Sequence, residues 1–196
     1  MDLESFAASP RITTMIKLDH AHVLAAFHRY RTDAPQWRKA ALVNTICAAL
    51  EIHAQLEEEI FYPALRAARP TATVLDKSVP EHDAMRESIT KLRAMNPVSD
   101  TYDAALMELM REVLHHVADE ETILLPMAEE LLSADLRRLG ARMNNRRVHL
   151  VALRPAELAI NSAGAFPILT LSLVGAAALA LFSALRTGTR APRDVQ

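Results

Sequence analysis

Residues 53–63 read HAQLEEEIFYP, and residues 116–126 read HVADEETILLP. Each stretch has histidine first, acids at the fourth and fifth places after it, and proline at the tenth. The repetition reaches further. His20, preceded by Asp19, is followed 62 residues later by His82, preceded by Glu81, while His53 and His116 stand 63 apart. A segment pair carrying one acid-His and one His-x-x-x-Glu-Glu is thus used twice, as in a pseudo-twofold bundle whose special residues meet on its axis.

The surrounding sequence is helical in period. Pro10, Pro35, Pro70 and Pro97 separate long stretches with apolar residues at helical spacing, which predicts helices near 11–31, 36–68, 79–95 and 100–132. Their short connections predict an all-α, antiparallel four-helix bundle over residues 10–135. A fifth, shorter helix is expected to begin at Ser133 as N-cap and to stop before Pro155, within a basic helix and linker at 136–165. Pro63 and Pro126, each inside a helical stretch, are expected to bend it.

Helical geometry also sorts the eight histidines. His53 shares a stripe with Leu42, Ile46, Ala49, Leu50, Leu56 and Ile60, and Glu57, one turn on, lies about 40° away. His20 keeps company with Ile16, Val23, Leu24 and Phe27. His82 is flanked by Val79, Met85 and Ile89, and His116 by Leu109, Val113, Ile123 and Met127, with Glu120 one turn on. These four histidines and two glutamates point inward. His115, in contrast, shares its stripe with Glu108, Arg111, Glu112, Asp119 and Thr122 and reads as surface, and His22, His28 and His149 lack the paired context. Burying two carboxylates costs several kcal/mol apiece unless cations compensate them, and no lysine recurs on these stripes. Divalent metal ions would compensate them, and an imidazole and carboxylate donor set suits iron, manganese or zinc.

Composition excludes several other functions. The first 139 residues contain no glycine, so phosphate-cradling loops have no physical basis. With 22 basic against 24 acidic side chains, nucleic acid is not expected as a partner. The single cysteine, Cys47, precludes an internal disulfide framework. HAQLE lacks the second histidine of a zinc-protease motif. The one Glu-x-x-His, Glu112 to His115, does not supply the pair that a ferritin-like site needs.

Residues 166–185, FPILTLSLVGAAALALFSAL, are apolar nearly all round and carry no charge. At 1.5 Å per residue they would reach about 30 Å, so a C-terminal transmembrane helix is expected, followed by a short tail at 186–196. The acidic N-terminus, MDLESFAASP, shows no secretory signal, and Arg137, Arg138 and Arg142 tilt the charge count toward a cytoplasmic N-terminal domain on a single-pass membrane protein.

The order Asp-His, His-x-x-x-Glu-Glu-x-x-x-x-Pro, Glu-His, His-x-x-x-Glu-Glu-x-x-x-x-Pro resembles the bacterial hemerythrin-like, or HHE cation-binding, domain. That resemblance implies a non-haem centre of two iron ions, with His20, His53, His82 and His116 as terminal ligands and Glu57 and Glu120 as bridges. Oxygen-carrying members use a further histidine four residues after the third-helix ligand, where this chain has Arg86. The expected function is binding of dioxygen or another small diatomic such as nitric oxide, for sensing, delivery or redox buffering at a membrane. The alternatives are a di-iron redox enzyme acting on peroxide, nitric oxide or ferrous iron, and an iron-sensing or structural interaction module. Glu58, Glu121, Asp19 and Glu81 are expected to face outward or to orient ligands.

Overall fold

A computed structural model describes residues 9–153. Helix α1 (Ile12–His28) is followed by α2 (Gln36–Leu56), which runs through a π-helical turn (Glu57–Phe61) into α3 (Tyr62–Ala68). Next come α4 (Leu75–Ala94) and α5 (Asp100–Asp119), the latter continuing through a second π-helical turn (Glu120–Leu124) into α6 (Leu125–Leu131). The last described helix is α7 (Leu136–Ala152). Helix α1 packs on α2, α2 on α4, α4 on α5, and α6 back on α1, closing a four-rod bundle, and α7 lies along α1 and α2.

The bundle's core is divided. One apolar cluster gathers Ile12, Ile16, Ile52, Leu56, Phe61, Leu65, Leu75, Leu124 and Leu125 together with Leu136, Leu139 and Met143 of α7. The other gathers Val23, Phe27, Val43, Ile46, Leu50, Met85, Ile89, Leu109 and Val113. On α1 the change falls between Ile16 and Val23, on α4 between Leu75 and Met85, and on α5 and the π turn that continues it between Val113 and Leu124. His20, His82, His116 and Glu120 lie in those intervals, so polar groups form a layer between two greasy ends.

Several boundaries differ from the sequence reading, each for a physical reason. Helix α4 starts at Leu75 and not near 79, because burial of Leu75 and Ser78 outweighs the one bond that Pro80 cannot donate. Helix α7 starts at Leu136 and not at Ser133. Residues 132–135 form a turn, closed by Asp135 N–H on the Leu132 carbonyl at 2.8 Å. Asp135 then supplies the negative charge that a helix N-terminus favours, and Arg138 bonds it at 3.0 Å. Pro63 and Pro126 sit at the second position of α3 and α6, directly after the π turns, where the wider winding accommodates a residue with no N–H.

Helix α7 fits closely because residue 140 is glycine. A Cβ there would collide with the Pro10 carbonyl oxygen, just before α1, and Arg137 donates to the Ser9 carbonyl at 2.9 Å. Among the described residues no helix is long and apolar enough to cross a membrane. The segment 166–185, expected to do so, lies outside the described residues, as does the tail at 186–196.

Candidate metal centre

The six side chains singled out by their stripes come together. His20, His53, His82, His116, Glu57 and Glu120 are between 0% and 7% exposed, whereas His22, His28, His115 and His149 are exposed. His20, His53, Glu57 and Glu120 offer ligating atoms that all lie within 4.8 Å of one another, and so do Glu57, His82 and His116. Glu57 belongs to both groups. The geometry is that of two adjoining cation positions, each with two imidazoles, sharing at least one carboxylate.

Each imidazole is held from behind. Nδ1 of His20 lies 2.9 Å from Glu121, that of His82 2.8 Å from Glu58, that of His116 2.8 Å from Glu81, and that of His53 3.4 Å from Asp19. These are the four acids next to His20, Glu57, His82 and Glu120 in sequence, but every one serves a histidine on a different rod. A carboxylate at Nδ1 fixes the proton there and leaves the Nε2 lone pair facing the centre, the tautomer a metal requires. Arg86 donates to Glu58 at 2.7 Å and to Asp83 at 2.8 Å; it stands beside the orienting acid of His82. Glu112 is half-buried, accepts from Ser88 at 3.1 Å and joins neither ligand group.

Sequence reasoning missed Tyr62. Its hydroxyl lies 2.8 Å from Glu120 Oε1, 3.2 Å from Glu57 Oε2 and 3.4 Å from His82 Nε2, and its ring stacks on that of His82. At 100° per residue, positions 57 and 62 would lie about 140° apart on a helix. The π turn, in which Tyr62 N–H bonds the Glu57 carbonyl, brings residue 62 back over residue 57. Ile123 is also displaced by a π turn: read as inward, it is 39% exposed while Leu124 is fully buried, and Val79, likewise read as inward, is 41% exposed. The one visible signal for Tyr62 was the difference between the copies, FYP against LLP.

The electrostatics reveal what the cage needs. His20 Nε2, His53 Nε2, Glu57 Oε1 and Glu120 Oε2 are buried with no hydrogen-bond partner among the described residues, although His20 Nε2 and Glu120 Oε2 are only 3.2 Å apart. Burial and the neighbouring charge of Glu120 push the Glu57 carboxyl well above the usual range. Burial opposes a charge on His20, yet the adjacent Glu120 and Glu57 raise its pKa to about 9. Burial likewise opposes ionisation of Glu120, but His20 and the other imidazoles hold its pKa at about 2. For His53, His82 and His116 burial prevails and lowers the pKa. Without a cation, the site favours protons on His20 and Glu57. The orphaned atoms, the charge deficit and the nitrogen and oxygen donor set all fit metal ions.

Against the histidines lies a cavity of about 20 Å³, lined by all four imidazoles and by Val23, Leu50, Ala54, Met85, Ile89, Val113 and Val117, with Asp19, Glu51 and Arg86 also contributing. That volume holds one molecule about the size of water. Half of its fourteen lining side chains are apolar.

Comparisons with known proteins agree with this geometry. The sequence profile described as Hemerythrin HHE cation binding domain matches residues 11–128. None of the curated proteins matches the chain. Among solved structures, that of a hemerythrin HHE cation-binding domain-containing protein from Mycobacterium kansasii, described as an Rv2633c homolog, is similar with a TM-score of 0.64 at 19% identity. The match covers 79% of this chain and 99% of that one; at such identity the likeness speaks for the fold alone.

Proposed function

The chain belongs to the hemerythrin HHE cation-binding domain family, and from that premise we propose that its cage holds two iron ions and binds dioxygen or a diatomic such as nitric oxide. His20 and His53 would hold one iron, His82 and His116 the other, with Glu57 and Glu120 between them. When bound, iron would supply redox chemistry and positions open to small ligands. The chain's own residues have other tasks: Asp19, Glu58, Glu81 and Glu121 orient the imidazoles, Tyr62 holds the carboxylate pair by hydrogen bonding, and the apolar wall limits access of water.

The observation that carries this reading is the cavity of about 20 Å³ against the four imidazoles. It has room for one small molecule on the scale of water or a diatomic. The direct test is to reduce the iron-loaded protein without air and then admit dioxygen or nitric oxide. A new visible absorption band that reverses when the gas is removed is expected, whereas an unchanged spectrum at full iron loading would end the reading. Steady-state consumption of peroxide or nitric oxide with a reductant present would favour the redox-enzyme alternative.

We also propose that residues 166–185 tether the domain to a membrane, with the domain on the cytoplasmic side, on the strength of their uncharged, apolar composition. The full chain should pellet with membranes, and a chain truncated near Arg154 should stay in the supernatant. Equal partition of the two forms would contradict the tether.

A further inference from the structure

The four histidine–carboxylate pairs are not alike. Three are 2.8–2.9 Å long, but His53 Nδ1 stands 3.4 Å from Asp19 Oδ2. Asp19 is occupied elsewhere. Arg147 of α7 grips its carboxylate at two points, Nη1 on Oδ1 at 2.6 Å and Nη2 on Oδ2 at 2.5 Å. The oxygen facing His53 is also held by the guanidinium, and a two-pronged charge-assisted contact fixes the plane and position of the carboxylate to suit the arginine. Glu58 provides the comparison. Arg86 reaches it with a single nitrogen at 2.7 Å, and the same oxygen keeps His82 at 2.8 Å. Glu121 and Glu81 carry no arginine among the described residues.

We propose that Arg147 is a positioning residue that draws Asp19 away from His53 and so makes His53 the weakest nitrogen donor of the cage. A carboxylate behind a ligating imidazole strengthens it as a donor, and a cation on that carboxylate takes the strength back. The inference rests on the metal-centre reading given above. It also assigns a task to α7, which lies beyond the residues 11–128 that the family profile matches: this last described helix weakens one chosen ligand and makes the two cation positions unequal.

A purely structural role predicts the opposite sign. If Arg147 only fastened α7 to the bundle, its loss would loosen the cage and weaken metal binding. Arg146 is the internal control, since it fastens the same helix with a like pair of bonds, to Glu59 at 2.6 and 2.8 Å. Among the described residues Glu59 otherwise bonds Gln55 and no histidine.

The test is a cobalt(II) titration of the metal-free full chain, read by the visible bands of the bound ion, for wild type, Arg147→Met, Arg147→Lys and Arg146→Met. Arg147→Met is expected to hold one of the two cobalt ions roughly tenfold tighter, the low end of what ligand-orienting partners command. The freed Asp19 and the lost positive charge both act in that direction. Arg147→Lys, which cannot grip both oxygens, should tighten the same ion by a smaller factor, and it decides the matter if Arg147→Met does not fold. Arg146→Met should bind both ions as wild type does. Unchanged or weaker binding in the Arg147 variants would overturn the proposal, as would an equal tightening in Arg146→Met. A wild-type chain that takes up no cobalt would overturn the metal-centre reading itself, and this inference with it.

Discussion

At the scale of single residues, the cage shows protons and metal ions competing for the same charge deficit. The pKa of His20 is raised from 6.5 to about 9. Its contribution to the stability of the metal-free protein is therefore whole below about pH 6.5 and is lost as pH rises through about 9. Glu57 is raised too and acts with the same sign. Metal-free protein should melt at a lower temperature at pH 9 than at pH 6.5, and metal-loaded protein, where cations replace those protons, should lose less; equal losses would contradict this account. By the same logic, metal uptake near neutral pH should release protons into a weakly buffered solution, and acidification toward about pH 4 should expel the metal as the imidazoles protonate. Tyr62 makes a separate prediction. Tyr62→Phe leaves Glu120 Oε1 without its hydroxyl donor at 2.8 Å, which should cost the metal-free protein about 1–3 kcal/mol in denaturant unfolding. The convergence of the four histidines and two glutamates was legible in the sequence because the winding stays regular as far as Glu57 and Glu120. Tyr62 was hidden because the π turn breaks the period, and Arg147 because one arginine on a basic helix looks like any other until its partner is known.

At the scale of elements, the two π turns and α7 shape the centre. Each π turn begins at an inward glutamate and ends before a proline, so the widened winding and the carboxylate are one local feature. The prolines were legible as irregularities, but the form of the irregularity was not: a helical wheel drawn at constant angle predicts a bend, not a change of winding. Four rods could likewise be read from proline spacing and apolar period. The placement of α7 along α1 and α2 could not, because it rests on close backbone approach at Gly140. Gly140→Ala should force α7 away from Pro10, at a cost of about 1–3 kcal/mol from overpacking. Thermal unfolding would show it, and an unchanged midpoint would mean that α7 is not seated as described.

At the scale of the whole molecule, the bundle is a scaffold that surrounds a polar layer with two apolar clusters and braces every imidazole from a neighbouring rod. The pseudo-twofold repeat was plain in the sequence, and it explains why the same acid-histidine relations recur in both halves. What departs from that symmetry is what sequence alone could not weigh: Tyr62 against Leu125, and an arginine clamp on Asp19 but not on its counterpart Glu81. Under the proposed two-metal reading, such asymmetry would give the two positions different properties. Because the cage is charge-deficient without cations, binding to the folded state alone must stabilise it, so metal-loaded protein should melt above metal-free protein, and coincident melting curves would remove the cage from any part in stability.

The central claim is that one chain surrounds a pair of metal ions, and it is tested most directly by elemental analysis of the full chain purified without added metal and then loaded to saturation with ferrous iron. Two ions per chain, falling to one or none in His53→Ala, is the predicted result. Saturation at zero or one in the wild type, or full loading of the variant, would contradict it.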